Sequence, residues 1–405
     1  MTKRAIVVAA LAAGLLVQAQ GLTQVPISTG TSAGTIADAE KMSDPEKAAG
    51  KTWRAVMKNT PMPENGCFHA SYPNVAWEHV DCQVTQPRAH HAPATRGTTG
   101  GAPETVGNGN DYIAQAPGLI YLAEGRFTMS GVSSETNAGV AAFGGGGILG
   151  ANEYSLQINT NNNGSTGRCA GHPGCRVWQQ FIYATDYNEK GKAALFIQYW
   201  LLEYNTPCPS YWTTSPNQFV PGEIDCFINS ESVTLPNLPV VDLGGRLNLQ
   251  ASVGAGNDYI VLEFESQNGS TFRSDIWGFG VGDGVLDIAS VWNQAEFNIV
   301  GDTEGSQAVF NKGSQITVFL GINDGTTVAP TCVGQSATTG ETNNLNLGSC
   351  TTGVGAFTPY CPPDEDGCVN GVTVPHMPFI EFTESLITKA LPPVGPGPCL
   401  GCVAE

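Results

Sequence analysis

The stretch that decides the fold is residues 176–204, RVWQQFIYATDYNEKGKAALFIQYWLLEY. Two apolar runs, rich in aromatic and β-branched residues, flank a polar turn with one glycine, a pattern typical of a β-hairpin. The long amide side chains of Gln179, Gln180 and Gln198 lie among aromatic residues along these runs. Amides are costly to bury without hydrogen bonds, so they either line a solvent-filled groove or bond to one another.

Composition extends this pattern to the rest of the chain. The 405 residues include 50 Gly, and only 13% are charged against about 25% in an average soluble protein. These values exclude a wholly disordered chain and a helical bundle. Further short strands are expected at Leu119–Thr128, Ser155–Asn159, Ser232–Leu235, Arg246–Val253, Tyr259–Glu265, Glu296–Val300, Ala308–Phe310 and Gln315–Ile322, with one helix at Asp287–Gln294. We predict an all-β fold, an antiparallel lectin-like β-sandwich.

The chain divides into five predicted segments. Residues 1–19 have the basic start and short apolar run of a signal peptide, which predicts a secreted protein. Residues 20–82 are interpreted as a pro-segment whose one helix begins at the capping box Ser43-Asp44-Pro45-Glu46 and ends near Lys58. The remaining segments are a Pro/Gly/Thr linker at 83–107, the sandwich at 108–330, and a Cys/Pro-rich extension at 331–405 with one clear strand, Phe379–Phe382.

Charge is distributed unevenly between these segments. Residues 1–105 carry nine Lys/Arg and eight Asp/Glu, a net charge of +1. Residues 106–405 carry nine Lys/Arg and 28 Asp/Glu, a net charge of −19, and the whole chain carries −18. A body this acidic repels phosphate backbones, which argues against a nucleic-acid partner. No apolar run after the signal approaches the length that spans a bilayer, so no membrane partner is expected. We expect a monomer.

The twelve cysteines fit an exported, oxidised protein. Pairing of sequence neighbours is one of many possible connectivities and gives Cys67–Cys82, Cys169–Cys175, Cys208–Cys226, Cys332–Cys350, Cys361–Cys368 and Cys399–Cys402. The alternative is that the last four cysteines form a four-thiolate metal site. Because oxidising export favours bridges over thiolates, we expect neither a metal nor a cofactor.

Several standard catalytic motifs are absent from the sequence. There is no HExxH, GxxxxGK[ST] or helix-opening GxGxxG, and four of the six histidines precede residue 108. Carboxylates, amides and aromatic residues remain. Glu296 lies between Ala295 and Phe297, where burial can raise its pKa toward the range of a general acid or base.

The order of these segments resembles the glutamic peptidases, which include the fungal acid-acting enzymes and the plant neprosins. The neprosin pattern is matched by Tyr154-Ser155-Leu156-Gln157, by 178–183, by the run from Leu195 to Trp200, and by Cys208 with Cys226. Ala295-Glu296-Phe297 repeats the A-E-F of the fungal enzymes. The resemblance covers about residues 110–325, and order and spacing carry it rather than any single motif.

The resemblance implies a secreted, acid-acting endopeptidase of the Gln/Glu type that hydrolyses polypeptides. Glu296 would activate water, Gln180 or Gln179 would stabilise the oxyanion, and the groove would be lined by Tyr199, Trp200, Gln198, Trp178 and Tyr183. In the fungal register the catalytic glutamate falls four residues later, at Val300, and the protein would then be a non-catalytic module. The alternative function is binding of polysaccharide or cell-surface glycan by the aromatic sheet.

A charge-based activation is also expected. The basic residues Lys47, Lys51, Arg54 and Lys58 would hold the pro-segment over an acidic groove at neutral pH. Acid would weaken this attraction as carboxylates protonate near pH ~4, and the linker would then be cut. The alternative is a permanently attached N-terminal domain.

Overall fold

Two β-sheets pack face to face, which confirms the predicted all-β sandwich. The computed structural model describes residues 44–58, 60–63, 65–92, 105–138, 150–216, 222–254, 256–268, 271–303, 305–334, 336–357 and 374–386. The helix α1 is Asp44–Lys58. The strands are β1 Gly66–Ser71, β2 Glu78–Val80, β3 Thr105–Gly107, β4 Tyr112–Gln115, β5 Leu122–Ser130, β6 Glu135–Ala138, β7 Ser155–Thr160, β8 Arg176–Glu189, β9 Lys192–Leu202, β10 Thr213–Pro216, β11 Ile224–Asn229, β12 Val233–Pro236, β13 Leu247–Gly254, β14 Asn257–Asn268, β15 Thr271–Gly282, β16 Gln294–Val300, β17 Gln307–Phe310, β18 Gln315–Asn323, β19 Thr331–Gly334, β20 Thr342–Phe357 and β21 Val374–Ser385.

The larger sheet has twelve strands in the order β2-β1-β15-β14-β13-β5-β18-β21-β20-β17-β6, with β3 beside β20. The smaller sheet has nine, in the order β10-β11-β9-β8-β7-β16-β4-β19, with β12 beside β9. Within the described residues every strand pairing is antiparallel except that of β17 with β20. The predicted hairpin, β8 and β9, therefore lies inside the smaller sheet rather than at its edge.

Aromatic rings fill the layer between the sheets. Phe297 of β16 stacks on Phe127 of β5 at 4.6 Å between ring centroids. The same Phe297 ring covers the backbone of Gly125, where a Cβ atom would lie 2.3 Å from the ring. This close approach needs glycine, and it fixes the face on which the neighbouring Glu296 lies.

The N-terminal segment is built into the larger sheet. Strand β1 pairs with β15 over six residues, and α1 packs Trp53 and Met57 against the outer side of β14 and β15. Arg54 of the helix makes ion pairs with Glu263, at 3.6 Å, and with Glu265. Helix α1 therefore lies on the larger sheet, not over the acidic groove predicted for it. The side chains of Lys47 and Lys51 are outside the described residues.

Four of the predicted disulfides are confirmed: Cys67–Cys82, Cys169–Cys175, Cys208–Cys226 and Cys332–Cys350. These bonds indicate an oxidising environment. The other two predicted pairs, the four-thiolate alternative, the signal peptide and Ser43 lie outside the described residues. Among the helices that are described, none has the length and apolar character needed to cross a bilayer.

Two local predictions differ from the structure. The helix expected at Asp287–Gln294 is a single 3₁₀ turn, Ile288–Ser290. Strand β16 begins at Gln294, and Trp292 is buried with its ring NH donating to the Gln294 carbonyl at 2.7 Å, so no room remains for an α-helix. The segment after residue 330 was expected to hold one clear strand, and it supplies three, of which β21 lies between β18 and β20 in the larger sheet.

Candidate active site

One register row on the outer face of the smaller sheet brings together the predicted catalytic residues. Glu296 pairs with Asn159, Asn159 with Gln180, Gln180 with Gln198, and Gln198 with Asn229, across five neighbouring strands. Residues paired directly across antiparallel strands project from the same face. The structure therefore places Gln180 and Glu296 together, two strands or about 10 Å apart at their backbones.

Gln179, Tyr183 and Tyr199 lie on the opposite face, toward the larger sheet. Gln179 donates to Asp258 Oδ2 of β14 at 3.0 Å, and the hydroxyl of Tyr183 accepts from the Leu238 amide at 2.8 Å. Tyr199 is Gln179's strand partner and is buried in the main core. A shift of one residue along a strand reverses the face, so none of these three side chains reaches the row that holds Glu296.

Trp178 and Trp200 do lie on the outer face, two residues along their strands from the row. They pair with each other across β8 and β9, and Trp200 stacks on Phe227. The indole NH of Trp200 lies 3.0 Å from Gln180 Oε1 and 2.9 Å from Gln198 Oε1. Both amide groups therefore present their oxygen atoms to the indole and their NH₂ groups elsewhere.

Glu296 is fully buried beside the loop at 336–341. The backbone NH and the hydroxyl of Thr338 both donate to Glu296 Oε2 at 2.7 Å, and Asn159 Nδ2 lies 3.4 Å from the same atom. Burial raises the pKa of Glu296 despite these bonds, which lower it. Oε1 has no hydrogen-bond donor among the described residues, so this oxygen can accept a proton from a water molecule.

Gln157 connects the two predicted catalytic residues. Its Oε1 accepts from Gln180 Nε2 at 3.1 Å and from Asn159 Nδ2 at 3.3 Å. Asn159 in turn contacts Glu296, so the amides of Gln180, Gln157 and Asn159 form a chain that ends at the glutamate.

The sequence patterns did not predict Asn159 and Thr338 as members of this arrangement. The signal for Asn159 was its alternation with Gln157 along β7, whereas Thr338 belongs to a loop with no periodic pattern.

Residues 83–92 cover this face. Gln198 Nε2 donates to the Arg88 carbonyl at 2.8 Å, and Gln198 Oε1 accepts from the backbone NH of His90 at 2.9 Å. Asn229 Nδ2 donates to the Gln86 carbonyl at 2.7 Å, and the Gly340 amide donates to the His91 carbonyl at 2.7 Å. Ala89 packs on the two tryptophans. Part of the predicted linker is therefore an ordered peptide bound through its main chain.

Val300, the position of the glutamate in the fungal register, is a buried apolar residue at the end of β16. Within the described residues no group of three or more His, Cys, Asp or Glu side chains is arranged to hold a metal ion. Comparison with models of protein families, with curated proteins and with solved structures gives no match. The functional argument therefore depends on the geometry of this face and on the sequence resemblance.

Proposed function

We propose that the protein is a secreted, acid-acting endopeptidase of the glutamic type. The observation that carries this proposal is that Glu296 and Gln180 share one row of a face that already holds an extended polypeptide by its main chain. Recognition through backbone NH and C=O groups suits a substrate of variable sequence. The predicted signal peptide and the four disulfides support the secreted part of the proposal.

Glu296 acts as the general base in this mechanism. Its Oε1 takes a proton from a water molecule, and the water oxygen attacks the carbonyl carbon of the scissile peptide bond. The carbonyl oxygen becomes an oxyanion, which Gln180 stabilises by donating from Nε2. When the intermediate collapses the C–N bond breaks, and Glu296 returns the proton to the leaving amine.

The contacts of Gln180 suit the oxyanion role. Trp200 holds the amide with Oε1 toward the indole, so Nε2 is the end that faces Gln157 and the row. A donor held in place before reaction costs no reorganisation when charge develops, and removing one such donor elsewhere costs about 10²–10³ in kcat.

Residues 83–92 make the present arrangement a closed form. Both Glu296 and Gln180 are buried, so a substrate reaches them only after this segment leaves. We propose that the segment is the inhibitory part of a zymogen and that cleavage follows between residues 83 and 107. The bonds from Thr338, which lower the pKa of Glu296 and favour its carboxylate form, do not involve this segment and remain when it leaves.

Glycan binding is the competing function. It needs aromatic faces open to a sugar ring, and both Trp178 and Trp200 are buried in the closed form. The two functions separate at Glu296, because glycan binding survives Glu296→Gln whereas hydrolysis does not.

The test is hydrolysis of denatured casein by the full-length protein at pH 3–5, with self-trimming followed by N-terminal sequencing. We expect Glu296→Gln to lower activity by about 10²–10⁴-fold and Gln180→Ala by about 10²–10³-fold. Glu124→Gln is the matched control, since Glu124 is also buried but lies on β5 of the larger sheet, away from Glu296. Absence of casein fragments from acid-treated protein, or full activity of Glu296→Gln, would contradict the proposal.

A further inference from the structure

The outer face of the smaller sheet binds residues 83–92 through hydrogen bonds to their main chain. The Gln198 amide bonds the carbonyl of residue 88 and the NH of residue 90, which is how a parallel strand would bond to residue 89. Asn229 bonds the carbonyl of residue 86. The side chains of residues 84 and 86 are exposed. Among the buried side chains of the segment, which are those of Thr85, Ala89 and His90, that of His90 is the largest and is completely enclosed.

The cavity around His90 is flat and has polar walls at one end. Tyr187 stacks on the imidazole at 5.8 Å between centroids with 15° between the planes, and the Phe196 ring lies at 6.3 Å. Gln157 Nε2 lies 3.1 Å from His90 Nδ1. Gln157 Oε1 already accepts from two amides, so its NH₂ group is the end that faces the imidazole. Nδ1 is therefore the acceptor, and the ring is neutral with its hydrogen on Nε2.

Charged groups near the cavity disfavour a cation. Glu341 Oε1 lies 3.7 Å from His90 Nδ1, and burial raises the pKa of this carboxyl to about 7, so below that pH it cannot neutralise a cation. Asp302 is also buried, and burial raises its pKa well above the ordinary value. Arg88 adds positive charge on the segment side. An aliphatic cation would lose both ring stacking and solvation here.

We infer that the cavity formed by Tyr187, Phe196, Gln157 and Glu341 is a side-chain subsite of the peptide-binding face that selects a flat, uncharged ring. Neutral imidazole stacks on Tyr187 and accepts from Gln157, while its Nε2 has no hydrogen-bond partner among the described residues. A phenyl ring keeps the stacking, loses the Gln157 bond and leaves no buried N–H without a partner. The inference rests on the proposed function only in treating the bound peptide as a stand-in for substrate.

The first test measures how firmly residues 83–92 are seated in the full-length protein. Cleavage of the Arg88–Ala89 bond by an arginine-specific serine protease at pH 6.5, followed by mass spectrometry, reports release of the segment. Trypsin is avoided because it would also cut after the introduced lysines, and pH 6.5 is below the pKa of Glu341, which is about 7. We expect His90→Phe to speed this cleavage by less than about threefold, His90→Ala by about tenfold and His90→Lys by more. Val84→Lys is the matched control, since residue 84 is 80% exposed and the same substitution there should leave the rate unchanged. Equal rates for His, Phe, Ala and Lys at position 90 would overturn the inference.

The second test uses the His90→Lys protein, with circular dichroism to show that it is folded and His90→Ala in its place if it is not. A labelled peptide with the sequence of residues 83–92 is titrated at pH 6.5, below the pKa of about 7 of Glu341, and binding is followed by fluorescence anisotropy. We expect the peptide with His at position 90 to bind at least about tenfold more tightly than the same peptide with Ala or Lys. Failure to bind, or equal affinity for all three, would overturn the inference. Both tests avoid the pH 3–5 range of the casein assay, so they stand whether or not casein is hydrolysed. Casein hydrolysis without discrimination at position 90 would overturn the subsite alone.

Discussion

Thr338 donates twice to one oxygen of Glu296, from its backbone NH and from its hydroxyl, each at 2.7 Å. Hydrogen bonds to a carboxylate favour its charged form and lower its pKa. The loop at 336–341 therefore holds the proposed base in place and also counters the burial that raises its pKa.

Thr338→Val should raise the pKa of Glu296, because the hydroxyl donor is lost while the backbone NH remains. We expect the acid limb of the activity–pH profile to move up by about one unit. The matched control is Thr339→Val, since the Thr339 hydroxyl donates to Glu341 Oε2 at 2.6 Å and not to Glu296. Equal displacement of the two profiles would argue against a specific effect on Glu296.

Release of residues 83–92 should begin only below about pH 4, because the pKa shifts of His90, Glu341 and Asp302 affect release in opposite directions. Burial lowers the pKa of His90 from 6.5 to about 3, so the released imidazole takes up a proton and release is favoured as pH falls. Burial raises the pKa of Glu341 from 4.5 to about 7 and that of Asp302 above 3.8. These two groups therefore oppose release as the pH falls, until the pH is below their ordinary pKa values. Below that pH only the effect of His90 remains.

Hydrogen exchange of the 83–92 peptide, corrected for the intrinsic dependence on pH, measures this release. Between pH 4 and 3 we expect the open fraction to rise up to about tenfold. His90→Phe removes the titrating ring and should abolish the rise. A rise of the same size in His90→Phe, or one already complete at pH 6, would show that another group controls release.

The folded protein should be more stable in acid than in alkali. Burial raises the pKa of Glu124 to about 8, of Glu135 to about 9 and of Glu384 to about 8. A carboxyl whose folded pKa is raised contributes its full stabilisation below its unfolded value of about 4.5 and loses it as pH rises through the folded value. We expect Tm to fall by roughly 5 °C or more between pH 5 and pH 9. The Tm of the Glu384→Gln variant should fall less steeply with pH. A wild-type Tm that rises between pH 5 and pH 9 would contradict the prediction.

Gly125→Ala should destabilise the sandwich, because its Cβ would lie 2.3 Å from the Phe297 ring. Overpacking of this kind costs about 1–3 kcal/mol of the free energy of unfolding. Gly167→Ala is the control, since a Cβ there has no neighbour within 4 Å. Urea denaturation measures both. Gly125→Ala combined with Phe297→Leu should recover part of the loss, and equal stability of the two single variants would show that the ring moves aside freely.

The sequence predicted the hairpin and named Glu296 with Gln180 or Gln179 as catalytic candidates, but it did not predict which side chains share a face of the sheet. Alternation of polar and apolar residues identifies the exposed side of a strand. Strands β8 and β9 are covered on both sides, by the larger sheet and by residues 83–92, so aromatic residues occur on both faces. Gln179 and Gln180 could be distinguished only by the register with Asn159.

Other elements gave no usable periodic signal. Strand β15 contains Gly278, whose missing side chain leaves room for the sulfur of Met62, and such glycines interrupt the apolar pattern. Residues 83–92 carry few apolar side chains because amides from strands about a hundred residues away hold them. Contacts that distant in sequence leave no trace in local composition.

The pairing of β1 with β15 has a consequence for any cut made between residues 93 and 104. The fragment ending at such a cut would keep its six-residue ladder in the larger sheet, and its disulfide, Cys67–Cys82, lies wholly within it. The mature protein would then be a two-chain particle joined by sheet hydrogen bonds and by α1. It would run as two bands under denaturing conditions and as one species in solution, with residues 83–92 left as a tethered tail able to return to the face it had covered.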